Sequence, residues 1–413
     1  MKSTLFSFFL CSLLFLSLGS AVYAADKKNA GKDMYASAPS FAKKRIKSAD
    51  SFIASGKYKS AWNALGADDS DYIIAKKVDV CTQFFANTEA HTSFAFKDLK
   101  KGEQLNEVRL NPGKLDFQAY DVEQVVHQYE ISNGESARTY YALGTYYYEV
   151  LLLFGDRWTK DEAEIRTLAR DNLKKAVDAG FYDAKVAQRY ANLRMEEGMY
   201  EDAAAYYAKS LELDDSNANA LYNYALSLMS LGKYDEGIEP ALKAAAAYKD
   251  NREFQLDAYV LVAEAYMCLQ NFPQAEKELL RLKTEFPDSY LPDMKLGDIY
   301  AAENDIAKAS EAYLNSFKKN PRNLQWFYQT LGMYVHSGCT QEAVSLCTDA
   351  IHAFEGTASV RGYLYTFLAN VYIEAKDFEQ AVPAIDSAEK CFDAAGITNL
   401  KESLEQMRNA CRK

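Results

Sequence analysis

One spacing recurs along most of this chain: a small residue that follows a turn returns after 34 or 38 positions. The column consists of Ala169, Ala203, Gly237, Ala275, Ala309, Ala343 and Ala381. A fixed period of this length indicates an array of structural repeats, and it outranks any local pattern. It constrains the fold strongly, because each unit must bury its apolar side against the next unit in the same way.

Each unit contains two helical patterns that put small residues on the buried side. In the stretch LGDIYAAENDIAKASEAYLNSFKKNP, Leu296, Gly297 and Tyr300 share one helical face. Ala309 and Tyr313 share a face of the next helix. Small residues let two helix backbones approach closely, and the tyrosines fill the space beside them. The pattern predicts a helical hairpin with Gly297 and Ala309 at a close contact between its helices.

These columns resemble the tetratricopeptide repeat (TPR). The residues that carry the resemblance are Leu296, Gly297, Tyr300, Ala309, Tyr313 and Pro321, and in the preceding unit Tyr259, Ala263, Tyr266, Ala275 and Pro287. The resemblance implies an all-α fold, an α-α superhelix (TPR solenoid) with about seven repeats over residues 137–395. Residues 39–65 show the same spacing of small and large residues, which predicts one isolated TPR-like helical hairpin. Residues 396–413 predict a C-terminal capping helix.

The segment 66–136 does not show this spacing of small and large residues. Phe94 and Phe96 alternate with polar residues, as they would in a short strand. A small β-hairpin and an irregular helical insert both fit this segment. The predicted fold is therefore all-α with a small irregular or β-hairpin insert near the N-terminus.

The N-terminus has the features of an export signal. Lys2 precedes an apolar run over residues 5–18, and Val22-Tyr23-Ala24 places small residues three and one before a break. This arrangement predicts a cleaved signal peptide over residues 1–24, followed by a polar leader over 25–38. An uncleaved membrane span would need a longer apolar run. We therefore expect an exported bacterial-type TPR protein, periplasmic or cell-envelope-associated, with no membrane span after cleavage.

Charge and motifs restrict the partner and the chemistry. The formal net charge of −11 at pH 7 argues against nucleic acid and anionic lipid as the main partner. None of the four histidines has metal-ligand spacing to a cysteine or carboxylate, and no phosphate-binding loop or nucleophile motif occurs. The sequence therefore predicts no catalytic residue, no metal site and no cofactor, and indicates a protein that is not an enzyme.

The resemblance also implies a binding groove. In this family the first helix of each unit lines a concave groove, and the inward residues are those outside the packing columns. The predicted groove residues are Arg138, Tyr141, Tyr148, Gln188, Arg189, Asn192, Met195, Tyr222, Asn223 and Met229, and the row continues through Met267, Met294 and Tyr328. Aromatic residues and arginine dominate binding hot spots, and methionine adapts to varied apolar partners. The alternative is that the tyrosines only pack between repeats.

Such a groove predicts a protein or peptide partner. Arg138 and Arg189 would suit a segment that carries a carboxylate beside an apolar residue. Some intracellular members of the family grip the C-terminal carboxylate of a chaperone with basic residues and asparagines, and Asn192 and Asn223 match those asparagines. The positions of the basic residues hold other side chains, namely Gln188, Asp257 and Leu261. That particular clamp is therefore broken in this chain.

Together these features predict an exported, non-catalytic scaffold that holds a partner peptide or helix in the concave groove. One alternative is an accessory component of an envelope machine, in outer-membrane assembly or associated with a transporter, that contacts a folded partner or a small ligand. A second alternative is an enzyme with a site grafted onto residues 66–136. The sequence leaves the oligomeric state open.

Overall fold

The computed structural model describes residues 34–412. The predicted signal peptide, residues 1–24, lies outside the described residues, as does most of the predicted leader. Residues 34–38 form a turn and bend before the first helix, and Tyr35 packs against the hydrophobic core. No helix within the described range is long and apolar enough to cross a membrane.

The chain begins with a helical hairpin and a segment that mixes helices with a small sheet. In order, the elements are α1 (Ser40–Ala54), α2 (Tyr58–Leu65), α3 (Asp71–Gln83), β1 (Asn87–Glu89), β2 (Ser93–Ala95), α4 (Leu105–Leu110), β3 (Phe117–Ala119) and α5 (Val122–Asn133). The strands form one antiparallel sheet in the order β1-β2-β3. In its register, Phe94 pairs with Thr88 on one side and Gln118 on the other.

The segment 66–136 contains more helix than its pattern indicates. Nearly every residue of α3 from Asp71 to Thr82 is buried, so this helix has no polar stripe facing solvent. Without that stripe, the apolar period that reveals a helix is absent from the sequence. Phe94 of the sheet belongs to the same hydrophobic core as Tyr146, so the insert packs directly onto the helices that follow.

From residue 137 onward the chain is a series of helical hairpins, each with a first and a second helix. The pairs are α6 (Ala137–Leu153) with α7 (Glu162–Asp178), α8 (Ala184–Glu196) with α9 (Tyr200–Leu213), α10 (Ala218–Ser230) with α11 (Tyr234–Ala247), α12 (Arg252–Cys268) with α13 (Phe272–Glu285), α14 (Leu291–Ala302) with α15 (Ile306–Lys319), α16 (Leu324–His336) with α17 (Thr340–Ala353), and α18 (Ala358–Glu374) with α19 (Phe378–Ala394). The two helices of every pair pack against each other. The predicted all-α solenoid with a small insert is confirmed.

Polar caps determine where many of the first helices begin. The side-chain oxygens of Ser136, Asp183, Asn217, Asn251 and Asn323 accept hydrogen bonds from backbone N–H groups of the following turn. These N–H groups have no partner inside the helix, so the caps stabilise the helix start. The start in turn decides which side chains face the neighbouring first helices.

The predicted close contact within a hairpin is present. A Cβ atom on Gly297 would lie 2.3 Å from the ring of Tyr313, and one on Gly144 would lie 2.6 Å from the backbone nitrogen of Leu173. Ala309 is completely buried. Larger side chains at these positions would therefore push the paired helices apart, which explains the column of small residues.

The last helix, α20 (Lys401–Cys411), packs against α18 and α19. Leu404 is its buried residue, and Arg408 forms ion pairs with Asp386 and Glu389 of α19. Its other side chains are mostly exposed. The helix thus covers the apolar side of the last hairpin with a polar outer surface.

Candidate functional site

The first helices form a continuous surface, which we call the first-helix face. It consists of α3, α6, α8, α10, α12, α14, α16 and α18. Helix α3 packs against α6, and most of the later first helices contact the next one. All the side chains that the sequence assigns to a groove lie on these helices, and each of them is buried or partly buried.

At the N-terminal end of this face, Arg138 is paired within the chain. Its Nε donates a hydrogen bond to Asp71 Oδ2 at 2.7 Å. Ser136 Oγ donates to the same oxygen at 2.8 Å. The guanidinium group lies 4.6 Å from the centroid of the Tyr72 ring. The positive charge of Arg138 is therefore matched by a carboxylate and an aromatic face of α3.

Tyr141 is buried, with 2% of its surface exposed. Its hydroxyl donates to Asp79 Oδ1, and the hydroxyl of Tyr35 donates to Asp79 Oδ2 at 3.0 Å. Burial raises the pKa of Asp79, even though Lys76 lies near it. Tyr141 thus ties α6 to α3 and offers almost no surface to a partner.

Arg189 on α8 forms an ion pair with Glu149 on α6, and both side chains are 5% exposed. The guanidinium group also lies 5.3 Å from the centroid of the Tyr148 ring. Buried charges are stable when they are paired and hydrogen-bonded in this way. The contacts therefore do not support the expectation that Arg138 and Arg189 offer charge to a partner's carboxylate, because each already contacts a carboxylate of this chain.

Asn192 joins three helices by hydrogen bonds. Its Nδ2 donates to the Tyr148 hydroxyl at 3.0 Å, and its Oδ1 accepts from the Tyr207 hydroxyl at 2.6 Å. The Tyr207 oxygen also lies 3.8 Å from Met195 Sδ. Burial raises the pKa of Tyr148 to about 12. These polar groups satisfy one another, and only Asn192 and Met195 keep part of their surface exposed.

On α10 the predicted groove residues differ in exposure. Tyr222 and Asn223 are partly exposed, whereas Met229 is buried beside Ala225. Gln188 of α8 accepts a hydrogen bond from Asn217, the cap of α10, at 2.9 Å. Farther along the first-helix face, the partly exposed side chains are Met267, Met294 and Tyr328. Partly exposed side chains therefore continue along the face from α8 to α16.

Charged side chains on α12 and α14 form a group that the sequence analysis does not assign to the groove. Glu264 forms an ion pair with Lys295 at 2.6 Å, and Lys295 Nζ lies 3.9 Å from Asp298 Oδ2. Asp298 Oδ1 accepts from the Tyr313 hydroxyl at 3.1 Å. Burial raises the pKa of Asp298 to about 6. Lys295 thus bridges carboxylates of two neighbouring first helices.

Asp257 precedes Glu264 by two turns of α12, so both lie on the same side of that helix. Asp257 is partly exposed. Burial, followed by repulsion from Glu253 and Glu264, raises the pKa of Asp257 to about 6. The sequence shows that Asp257 occupies a groove position. Its surroundings depend on contacts between helices, and the repeat pattern does not contain that information.

The face can supply hydrogen bonds, ion pairs and apolar contacts. Across residues 34–412 there is no group of three or more His, Cys, Asp or Glu side chains arranged to hold a metal ion. The described cysteines are free thiols, of which Cys81 and Cys347 are buried. The arrangement therefore resembles a recognition surface in its chemistry.

Comparison with known proteins identifies the repeat type. A family model described as tetratricopeptide repeat matches residues 191–252. A curated relative, a TPR repeat-containing protein of Methanocaldococcus jannaschii, is 28% identical over 155 residues, which are 37% of this chain and 26% of the relative. The chain thus spans about a quarter of that relative's length.

Several solved structures are similar to this chain. A tetratricopeptide repeat protein from Parabacteroides merdae has a TM-score of 0.41 and 16% identity, over 66% of this chain and 99% of that one. Yeast Tom70 has a TM-score of 0.39 and 15% identity, over 90% and 81%. YrrB, a TPR protein described as having an unusual peptide-binding site, has a TM-score of 0.32 and 23% identity, over 44% and 92%. All three similarities are of fold alone.

Proposed function

Because the chain is a tetratricopeptide-repeat protein, we propose that it is a non-catalytic scaffold that binds a protein or peptide partner on its first-helix face. The main support for the proposal is the row of partly exposed side chains on this face from α10 to α16. Its partly exposed side chains, spread over four helices, are Tyr222, Asn223, Met267, Met294 and Tyr328.

These side chains suit recognition of a peptide or helix. Tyrosine rings bury a large area at a low cost in side-chain entropy, and methionine adapts its shape to varied apolar partners. The amide of Asn223 can both donate and accept hydrogen bonds. A segment that lies across successive first helices would contact several of these groups at once. The region around Arg138 and Arg189 is filled by internal pairs, so the proposed site runs from α10 to α16.

We also propose that the protein is exported. Lys2, the apolar run over residues 5–18 and the small residues at Val22 and Ala24 have the composition of a secretory signal. The partner would then be a protein or peptide that is present in the cell envelope or the periplasm.

Site-specific photo-crosslinking tests which face the partner contacts. A photoreactive phenylalanine derivative is placed at Tyr222 or Tyr328 on the first-helix face, and at Leu242 or Leu280, which are exposed on second helices. Irradiation of the native host should give an adduct of one mass from both first-helix positions and from neither second-helix position. Adducts formed only from Leu242 or Leu280 would contradict the proposal.

A further inference from the structure

The charges on the first helices are mostly paired inside the chain. Arg138 pairs with Asp71, Arg189 with Glu149, and Lys295 with Glu264. Each of these pairs joins neighbouring first helices, and in each the later helix supplies the cation and the preceding helix supplies the carboxylate. This regular pairing makes an unpaired charge on the same face informative.

Asp257 is the exception at the contact between α10 and α12. It is partly buried, and no hydrogen bond or ion pair with any other residue of 34–412 satisfies its carboxylate. The facing helix α10 carries no charged residue between Ala218 and Ser230. The charged neighbours of Asp257 on its own helix are Glu253 and Glu264. A carboxylate in this position is therefore held among groups that repel it.

On the next first helix, α14, one oxygen of a second carboxylate lacks a hydrogen-bond donor. Asp298 is 8% exposed, and its Oδ2 is buried without a hydrogen-bond partner in the described part of the chain. Its nearest cation, Lys295, lies 3.9 Å away and is already bonded to Glu264 at 2.6 Å. Glu264, Lys295 and Asp298 thus form a group of two carboxylates and one cation. Asp257, on the same side of α12 as Glu264, adds a third carboxylate to this face.

An aromatic side chain packs against α12 near the unpaired carboxylate. Tyr222 packs against the apolar clusters that contain Ala258 and Leu261 of α12, and its ring is partly exposed. A cation placed here would meet a carboxylate and the face of a tyrosine ring, two groups that attract it by different means.

We infer that the first-helix face at Asp257 receives a basic side chain, lysine or arginine, of the partner. The inference rests on the proposed function and names the chemistry of the segment that binds there. A lysine or arginine would supply at this contact the cation that Arg189 and Lys295 supply at others. The acidic chain, with a formal net charge of −11, would also favour the approach of a basic partner.

Three matched synthetic peptides test the inference on the full chain. They share one apolar and aromatic frame and differ only at spaced positions that hold lysine, glutamine or glutamate. Fluorescence polarisation measures the affinity of each peptide for the unaltered protein and for two variants. Asp257→Asn removes the unpaired carboxylate. Glu311→Gln removes an exposed carboxylate from the second helix α15 and changes the net charge by the same amount.

The expected result is tightest binding of the lysine peptide, about tenfold weaker binding of that peptide to Asp257→Asn, and no change for Glu311→Gln. Equal binding of the three peptides, or equal effects of the two variants, would overturn the inference and leave the proposed function intact. Absence of binding by all three peptides would also overturn it. The proposed function is then judged separately, by the positions that crosslink.

Discussion

Arg189 of α8 and Glu149 of α6 form an ion pair in which each side chain is only 5% exposed. The two residues are 40 positions apart in the sequence and come from successive hairpins. The pair is thus part of the contact that holds two repeats together. It also places the guanidinium group of a predicted groove arginine against a carboxylate of its own chain.

Removal of one member of this pair should destabilise the contact between α6 and α8. Arg189→Met would remove the guanidinium group that pairs with the buried carboxylate of Glu149, at a cost of about 3–5 kcal/mol. The double variant Arg189→Met/Glu149→Leu should be less destabilised than the single one, because both charges of the pair are removed together. Native-state hydrogen exchange of the α6 and α8 amides measures this local stability.

The control for this prediction is Lys243→Met, which breaks an exposed pair with Glu239 on α11. Such solvent-exposed pairs contribute little to stability, because water screens the attraction. The α6 and α8 amides should exchange faster in Arg189→Met than in Lys243→Met. Equal protection of these amides in the two variants would show that the buried pair has no structural role.

Two glycines that both lie inside first helices should respond to alanine in opposite ways. In Gly297→Ala the new methyl group would meet the Tyr313 ring at 2.3 Å, so we expect a loss of about 1–3 kcal/mol. Around Gly332 nothing lies within 4 Å of a new Cβ atom, and alanine is the better helix former by about 0.5–1 kcal/mol. Thermal melts of the two variants should therefore move in opposite directions. A rise in melting temperature for Gly297→Ala would show that the hairpin is not closely packed there.

Asp257 should make the folded protein less stable at alkaline pH. Burial and the nearby Glu253 and Glu264 raise its pKa in the folded state to about 6, above the value of 3.8 for an unperturbed aspartate. Between these values the folded state binds more protons than the unfolded state, so this group's contribution to stability rises as pH falls. Asp257→Asn should accordingly raise the melting temperature at about pH 8 and lose that advantage by about pH 4.

Asp298 titrates in the same range, because burial raises its pKa to about 6 as well. The comparison is therefore between Asp257→Asn and the exposed Glu311→Gln, which both retain Asp298. An equal pH dependence of melting in these two variants would show that Asp257 does not titrate abnormally.

The sequence reveals the hairpins better than it reveals the contacts between them. Gly297 and Ala309 belong to columns of small residues that reveal the repeat. These columns recur at a fixed period because close packing excludes larger side chains there. Helix α3 leaves no such pattern because it is buried on nearly every side. The placement of Arg189 on the first-helix face follows from the period, but its partner Glu149 lies in another hairpin, and no local rule joins them. For the same reason, the sequence does not show that the carboxylate of Asp257 lacks a hydrogen-bonded or ion-paired partner.

Export predicts a defined N-terminus. Cleavage after Ala24 would leave Ala25 as the first residue, and cleavage after Ala21 would leave Val22. N-terminal sequencing of the protein from its native envelope should find one of these. Ala24→Arg should block the first site, because a small residue is needed just before the cut. Recovery of the unaltered protein with Met1 intact would contradict export by this signal.

The most direct test of the binding scaffold is a calorimetric titration of the partner identified by crosslinking. Tyr222→Ala removes a partly exposed ring from the first-helix face, and Leu280→Ala removes an exposed side chain, 45% exposed, from the second helix α13. Circular dichroism at the assay temperature confirms that both variants are folded. We expect Tyr222→Ala to weaken binding of the partner by about 1 kcal/mol or more and Leu280→Ala to leave it unchanged. Unchanged affinity for Tyr222→Ala, or a larger loss for Leu280→Ala, would contradict it.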